Sequence, residues 1–245
     1  MLVAFDGYKE ECKRIMTTIA ARLQAVRSRI AAAAESAGRP PEDIRLIAVS
    51  KTFAGTAIQE ARAAGQVAFG ESYLQEAMAK IPALGPDFEW HHIAPIQSNK
   101  TRHVAELFHW AHGVDRLKIA ERLSSSRPPG RPPLDICIQV NISGEASKSG
   151  VAPQEVLALA RAISPLQGVR LRGLMAIPEA TPDVRLLRAR FRQIRELKDE
   201  IVRQGIKLDT LSMGMSDDLE AAIAEGATLV RVGRAIFGER PQGPG

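Results

Sequence analysis

Aromatic side chains are scarce in this sequence: Phe, Trp and Tyr together make up 4% of 245 residues. A groove that stacks nucleobases needs rings interleaved with cations, so the main requirement for binding single-stranded nucleic acid is missing. Cysteine is scarcer still. Cys12 and Cys137 stand far apart, and neither belongs to a CxxC or a Cys/His cluster, which argues against a disulfide framework and a zinc site. No apolar run reaches the length of a membrane-spanning helix, and the first dozen residues lack the basic-then-apolar order of a secretory signal. The expectations are no metal, no nucleic-acid partner, no membrane partner and a cytoplasmic setting. Three motifs are missing too. No G-x-G-x-x-G follows the first strand candidate, which weakens a dinucleotide-binding reading. Ser212 and Ser216 have no G-x-S-x-G context, so a hydrolase elbow is not expected. Paired carboxylates at strand ends are absent, against a glycosidase.

What the sequence does contain is an ordinary globular balance, 45% hydrophobic and 25% charged, with a formal net charge of +5. The excess is spread out. Its densest basic stretch, Arg185–Arg195, falls on a helical pattern with acidic residues soon after, the mark of a solvated helix face. Gly144–Gly150 has a faint P-loop look but lacks the glycine before Lys148.

Ile15, Ile19, Leu23, Val26 and Ile30 recur at helical spacing, and the helix stops at Gly38-Arg39-Pro40-Pro41. Eight short apolar runs follow: 44–50, 67–70, 88–93, 108–114, 134–141, 169–175, 208–212 and 229–232. They are near-continuous rather than alternating, as parallel strands covered on both faces require. Helical patterns separate them. The clearest is Pro182–Gln204, with Thr181-Pro182 as N-cap and N1, a stripe of Val184, Leu187, Phe191, Ile194, Leu197 and Ile201, and Gly205 as its stop. Eight β/α units in this length predict an α/β chain folded as one (β/α)8 TIM barrel over residues 1–245, with flexible tails at 1–6 and 241–245. A doubly wound open sheet is the alternative.

In such a barrel, ligands meet the C-terminal ends of the strands. Lys51 follows the first strand directly. A lysine desolvated there offers a neutral amine, the nucleophile that a Schiff base with an aldehyde requires, while a lysine reaching out to water is the plainer reading. The last two β/α turns hold Met215 with Ser216, and Gly233 with Arg234. Ser216 is placed to cap a helix over 217–225, and bare backbone at Gly233 can approach an anion; barrels commonly hold phosphate there. Capping alone and a tight turn would explain both equally well. Arg231 lies in the last strand and, if buried, needs an acceptor: a ligand nitrogen or a barrel acid. His91 and His92 are adjacent on a strand, so only one of them can face the barrel interior.

These motifs, taken in order, resemble the pyridoxal phosphate homeostasis protein family (the YggS/PROSC type). The resemblance is carried by Val49-Ser50-Lys51, Phe69-Gly70-Glu71, Gln97-Ser98-Asn99-Lys100 and Gln139–Glu145. It continues through Gly173-Leu174-Met175, Ile177-Pro178, Leu211–Ser216, Val230–Gly233 and Ala235–Gly238. The family in turn resembles the barrel domain of alanine racemase standing alone. The resemblance implies pyridoxal 5′-phosphate as cofactor, held by Lys51 as a Schiff base. Ser216, with the backbone after Gly233, would cradle the phosphate, and Arg231 would face the pyridine nitrogen. Ser72, Met215 and Arg234 complete the implied contacts. Ser72 stands where the family usually has Asn, and Ala94 where it usually has Gly. The implied role is vitamin B6 homeostasis without catalysis, exchanging cofactor with amino acids or apo-enzymes, as a monomer or weak dimer. The alternative is a racemase- or decarboxylase-like enzyme using the same cofactor; a third reading is a barrel for some other phosphorylated metabolite.

Overall fold

The computed structural model describes residues 18–143 and 149–239. Ile15, Cys12, the expected tails at 1–6 and 241–245 and the stretch 144–148 lie outside them. Eight strands form a closed, all-parallel barrel in chain order: β1 (Arg45–Val49), β2 (Ala68–Glu71), β3 (Glu89–Pro95), β4 (Trp110–Val114), β5 (Leu134–Gln139), β6 (Val169–Met175), β7 (Thr210–Ser212) and β8 (Leu229–Val232). β1 closes on β8 with Ile47 opposite Arg231. The open-sheet alternative falls, because the strands have no free edge.

Helices connect the strands: α1 (Ile19–Ser36) before β1, then α2 (Gly55–Ala63), α3 (Leu74–Leu84), α4 (Thr101–Leu107), α5 (Leu117–Ser125), α6 (Val156–Ile163), α7 (Val184–Arg203), α8 (Leu219–Ala224) and α9 (Arg234–Phe237). The helical stripes pack as their periods require, except that Val184, in the first turn of α7, is 61% exposed. Ile19, Leu23, Val26 and Ile30 of α1 are buried, as are Leu187, Phe191, Ile194 and Ile201 of α7. Two start signals move. α7 is capped by Asp183, whose carboxylate accepts from the N–H groups of Arg185 and Leu186, rather than by Thr181. A carboxylate complements the helix dipole better than a hydroxyl does. The basic stretch of α7 is more than a solvated face. Arg188, Arg192 and Arg195 converge on Glu225, a carboxylate only 1% exposed, and dock the helix on the end of α8.

Alternate strand residues point into the barrel. Ile47, Ala68, Trp110, Cys137, Met175 and Leu229 make a small inner core, separate from the larger shell between strands and helices. His91 faces this interior, stacked on Trp110, while His92 on the other face meets Phe108 edge-on. Burial pushes the Cys137 thiol well above its ordinary value, so it behaves as an inert core residue.

Candidate cofactor-binding site

The chain leaves β1 through a tight turn. Ser50 N–H donates to Gly70 O at 2.9 Å, and Phe53 N–H to Ser50 O at 3.1 Å. Thr52 sits at φ +70°, in the left-handed region that β-branched residues avoid. Such a conformation costs about 1–2 kcal/mol and persists only where its surroundings impose it. Here Glu76 accepts the Thr52 N–H at 2.8 Å. Lys80 then bridges Glu76 at 2.9 Å, Glu71 at 3.2 Å and the Ser50 carbonyl at 3.2 Å. Glu71 is fully buried and receives the Ser50 hydroxyl at 2.7 Å. Burial pushes its carboxyl upward, with Lys80 and Ser50 offsetting only part of that. This lattice of one cation and two carboxylates aims the residue it brackets, Lys51.

The turns after β7 and β8 face Lys51. Gly214 has φ +96°, and an added Cβ would come within 2.7 Å of the Ala222 side chain, so only glycine fits. The Asp218 carboxylate accepts the Met215 N–H, and Asp218 N–H returns to Met215 O at 3.2 Å. This closed turn delays α8 to Leu219, with Asp218 at the N-cap position and no side-chain cap bond. Ser216 therefore does not cap a helix. It lies in the turn, its carbonyl held by Arg29 of α1 at 3.0 Å. Across the gap, Arg234 pairs with Asp217 at 2.7 Å, both largely exposed, which ties the two turns together at the rim. At Gly233 a Cβ would stand 3.2 Å from Val49 O, so this backbone lies close against the end of β1.

Arg231 is 4% exposed. Its Nη1 donates to Ser212 Oγ at 2.6 Å and its Nη2 to Ala176 O at 3.0 Å. Both partners are neutral, so the barrel-acid alternative does not hold among the described residues. Burial lowers the guanidinium to about 10, with the Asp218 charge countering in part. It stays cationic at neutral pH.

One cleft of about 600 Å³ unites these parts. Lys51, Ser72, Met215, Ser216, Arg231, Gly233 and Arg234 all line it, with Val49, Ile93 and Ile177 as apolar wall. The donor set suits a small, flat, anionic aldehyde. A lysine stands at one end, a buried cation without a carboxylate partner lies at the floor, and backbone turns with a serine and an arginine make the other end. Sequence reasoning gave Glu71 no role of its own and passed over the supporting residues Glu76, Lys80 and Arg29. Only the left-handed turn after Lys51 needs the first three, and nothing in the residue order announces that turn. Among the described residues, no cluster of His, Cys, Asp and Glu could hold a metal ion.

The chain is similar to known proteins over nearly its whole length. The family model described as alanine racemase, N-terminal domain, matches residues 21–241. The pyridoxal phosphate homeostasis protein of Pseudomonas aeruginosa is 57% identical over 229 residues, covering 93% of this chain and 98% of that protein. Its namesake from Escherichia coli K12 is 51% identical over 234 residues, covering 92% and 98%. The solved structure of PipY from Synechococcus elongatus with PLP bound has a TM-score of 0.79 at 39% identity, covering 90% of this chain and all of that one. By fold and by relatedness over nearly its whole length, the chain belongs to the pyridoxal phosphate homeostasis protein family, built on the alanine racemase N-terminal domain.

Proposed function

We propose that this protein holds pyridoxal 5′-phosphate in the β1/β7/β8 cleft through Lys51 and takes part in vitamin B6 homeostasis by exchanging it. The observation that carries the proposal is the convergence of Lys51, Arg231, Ser216 and Gly233 on one cleft, on a scaffold whose relative PipY is described with PLP bound. The bound group supplies an aldehyde that reacts reversibly with amines. Lys51 anchors that aldehyde as a Schiff base. The turns at Ser216 and Gly233 receive the phosphate, with Arg234 at the rim and Ser72 and Met215 at the sides. Arg231 presents a charged N–H to the ring nitrogen and disfavours its protonation, which weakens the ring as an electron sink and with it carbanion chemistry. A carrier, not a racemase or decarboxylase, is the role these residues favour, with amino acids and apo-enzymes as recipients.

The test is an absorption spectrum of the purified protein with added pyridoxal phosphate, before and after borohydride, followed by peptide mass mapping. A visible band that bleaches, with a pyridoxyl adduct on Lys51, is the expected result. An adduct elsewhere, or a protein that stays colourless, sinks the assignment. Exchange of amino-acid α-protons in deuterated water tests the carrier reading: steady turnover that is lost in Lys51→Ala would make the protein an enzyme.

A further inference from the structure

The barrel interior holds a chain of buried polar groups that the cofactor reading does not use. It begins at Arg231, whose Nη1 meets Ser212 Oγ at 2.6 Å. Ser212 Oγ lies 2.8 Å from His112 Nδ1, His112 Nε2 lies 3.0 Å from His91 Nδ1, and His91 Nε2 lies 2.8 Å from Glu89 Oε1. Arg45 closes the far end on the same Glu89 oxygen at 3.0 Å. Ser212, His112 and His91 are all fully buried. Four strands, β3, β4, β7 and β8, contribute one link or more each, and the chain runs from the cleft floor to the opposite mouth of the barrel.

The order of the groups fixes every proton. A carboxylate only accepts, so His91 carries its proton on Nε2. A neutral His91 then accepts at Nδ1, which requires a proton on His112 Nε2. A neutral His112 accepts at Nδ1, so the Ser212 hydroxyl must donate to it. Ser212 Oγ is left to face Arg231 as an acceptor. Burial holds both imidazoles below their ordinary value, and hydrogen bonds from His91 and Arg45 outweigh burial at Glu89 and keep its carboxylate ionised. All donors therefore point the same way, and each bond polarises the next.

We propose that His112 and His91 are positioning residues: with Glu89 they form a one-way hydrogen-bond relay that locks the Ser212 hydroxyl as an acceptor and so fixes the Arg231 guanidinium at the cleft floor. Without His112 the serine proton is free to rotate toward Arg231, placing donor against donor. Arg231 would keep only the Ala176 carbonyl and could turn about its own axis. The consequence for the cofactor rests on the proposed function; the relay itself does not.

The test uses the full chain labelled with 15N at histidine and arginine, first without cofactor. Ring nitrogen shifts in the wild type should show His91 and His112 neutral and protonated at Nε2 at pH 7. A charged ring or an Nδ1–H tautomer at either position overturns the relay, whatever the protein binds. The Arg231 Nη signals should be resolved in the wild type and merge in His112→Phe and Ser212→Ala. They should stay resolved in His112→Gln, whose amide offers an acceptor to Ser212 and a donor to His91. Resolved signals in His112→Phe, or merged ones in the glutamine variant, overturn the positioning role. If His112→Phe does not fold, Ser212→Ala and the wild-type tautomers decide alone. With pyridoxal phosphate added, His112→Phe should bind about tenfold more weakly than His112→Gln, the size expected for loosening one hydrogen bond to a charged group. A wild type that binds none counts against the cofactor assignment while the ring tautomers still judge the relay.

Discussion

The two mouths of the barrel are built from the same eight strands and differ in how they hold a central arginine. At the N-terminal mouth three arginines meet carboxylates. Arg45 pairs with Glu89, Arg170 with Asp135, and Arg172 with both Asp135 and Asp209, while the Arg172 guanidinium also lies over the Trp110 ring at 5.0 Å. At the C-terminal mouth, Arg231 is buried on neutral partners. Other charges at this mouth are paired, Lys80 with Glu71 and Glu76 and Arg234 with Asp217, while Glu76 and Asp218 also hold the backbone at Thr52 and Met215. Paired charges satisfy one another and close an end of the barrel. A buried cation with no carboxylate in direct contact among the described residues leaves an end suited to an anionic ligand, at the expense of stability.

The largest effect expected from breaking this contrast is at Lys51. Lys51→Ala should abolish the borohydride-trapped adduct while leaving weak phosphate-anchored binding, whereas Arg172→Ala at the other mouth should leave the adduct intact. Mass mapping of both variants decides it, and a full adduct in Lys51→Ala would contradict the assigned anchor.

Next comes Arg231→Leu. Removing the cation proposed to contact the ligand should raise the Kd for pyridoxal phosphate at least tenfold, given that a hydrogen bond to a charged group contributes about 1.5–3 kcal/mol. Urea unfolding should show stability unchanged or higher, since a desolvated charge has gone. Arg172→Ala should behave in reverse, costing about 1 kcal/mol of stability with no change in Kd. Equal effects of the two variants on Kd would erase the distinction between the mouths.

A smaller effect concerns pH. Burial holds His91, His92, His109 and His112 below the ordinary histidine value of 6.5, His92 at about 4. The unfolded chain takes up protons at the ordinary value, so below it the unfolded state binds more protons and stability falls as pH falls. Glu71 works the other way: its raised pKa favours the folded chain at low pH and is lost as pH rises. Burial raises the Asp218 carboxyl in the same way, and four rings outweigh these two carboxyls. The unfolding free energy from urea titration should drop between pH 7 and pH 5, by about 1.4 kcal/mol per histidine per pH unit at most. A flat profile would mean that the interior histidines are not held neutral.

The smallest effect is at Thr52. Thr52→Gly should stabilise the fold by about 0.5–1 kcal/mol, since it relieves the left-handed φ and removes a buried hydroxyl with no hydrogen-bond partner. Calorimetry reads the change. A loss of stability would show that the turn is not strained.

Much of this was legible in the residue order, for reasons that can be named. The eight apolar runs mark the strands because a parallel strand is covered on both faces, and the glycines at 38 and 205 mark helix ends because they take positive φ. Lys51, Ser216, Arg231 and Gly233 were legible because a barrel puts its chemistry at strand ends. The cap positions were not. Asp183 and Thr181, or Asp218 and Ser216, are equally good caps in one dimension, and only the path of the backbone chooses between them.

By itself, then, the sequence determined what depends on periodicity and on position along a strand: the barrel, its inner and outer faces, and which residues stand at its C-terminal mouth. Only the tertiary structure decided what depends on contacts between residues far apart in the chain. It joined Ser212 to His112 across 100 positions, brought Arg29 to Ser216 across 187, and set Glu76 against the Thr52 backbone. Such bonds follow from the closure of the barrel, which brings distant strands together, and no local pattern encodes them.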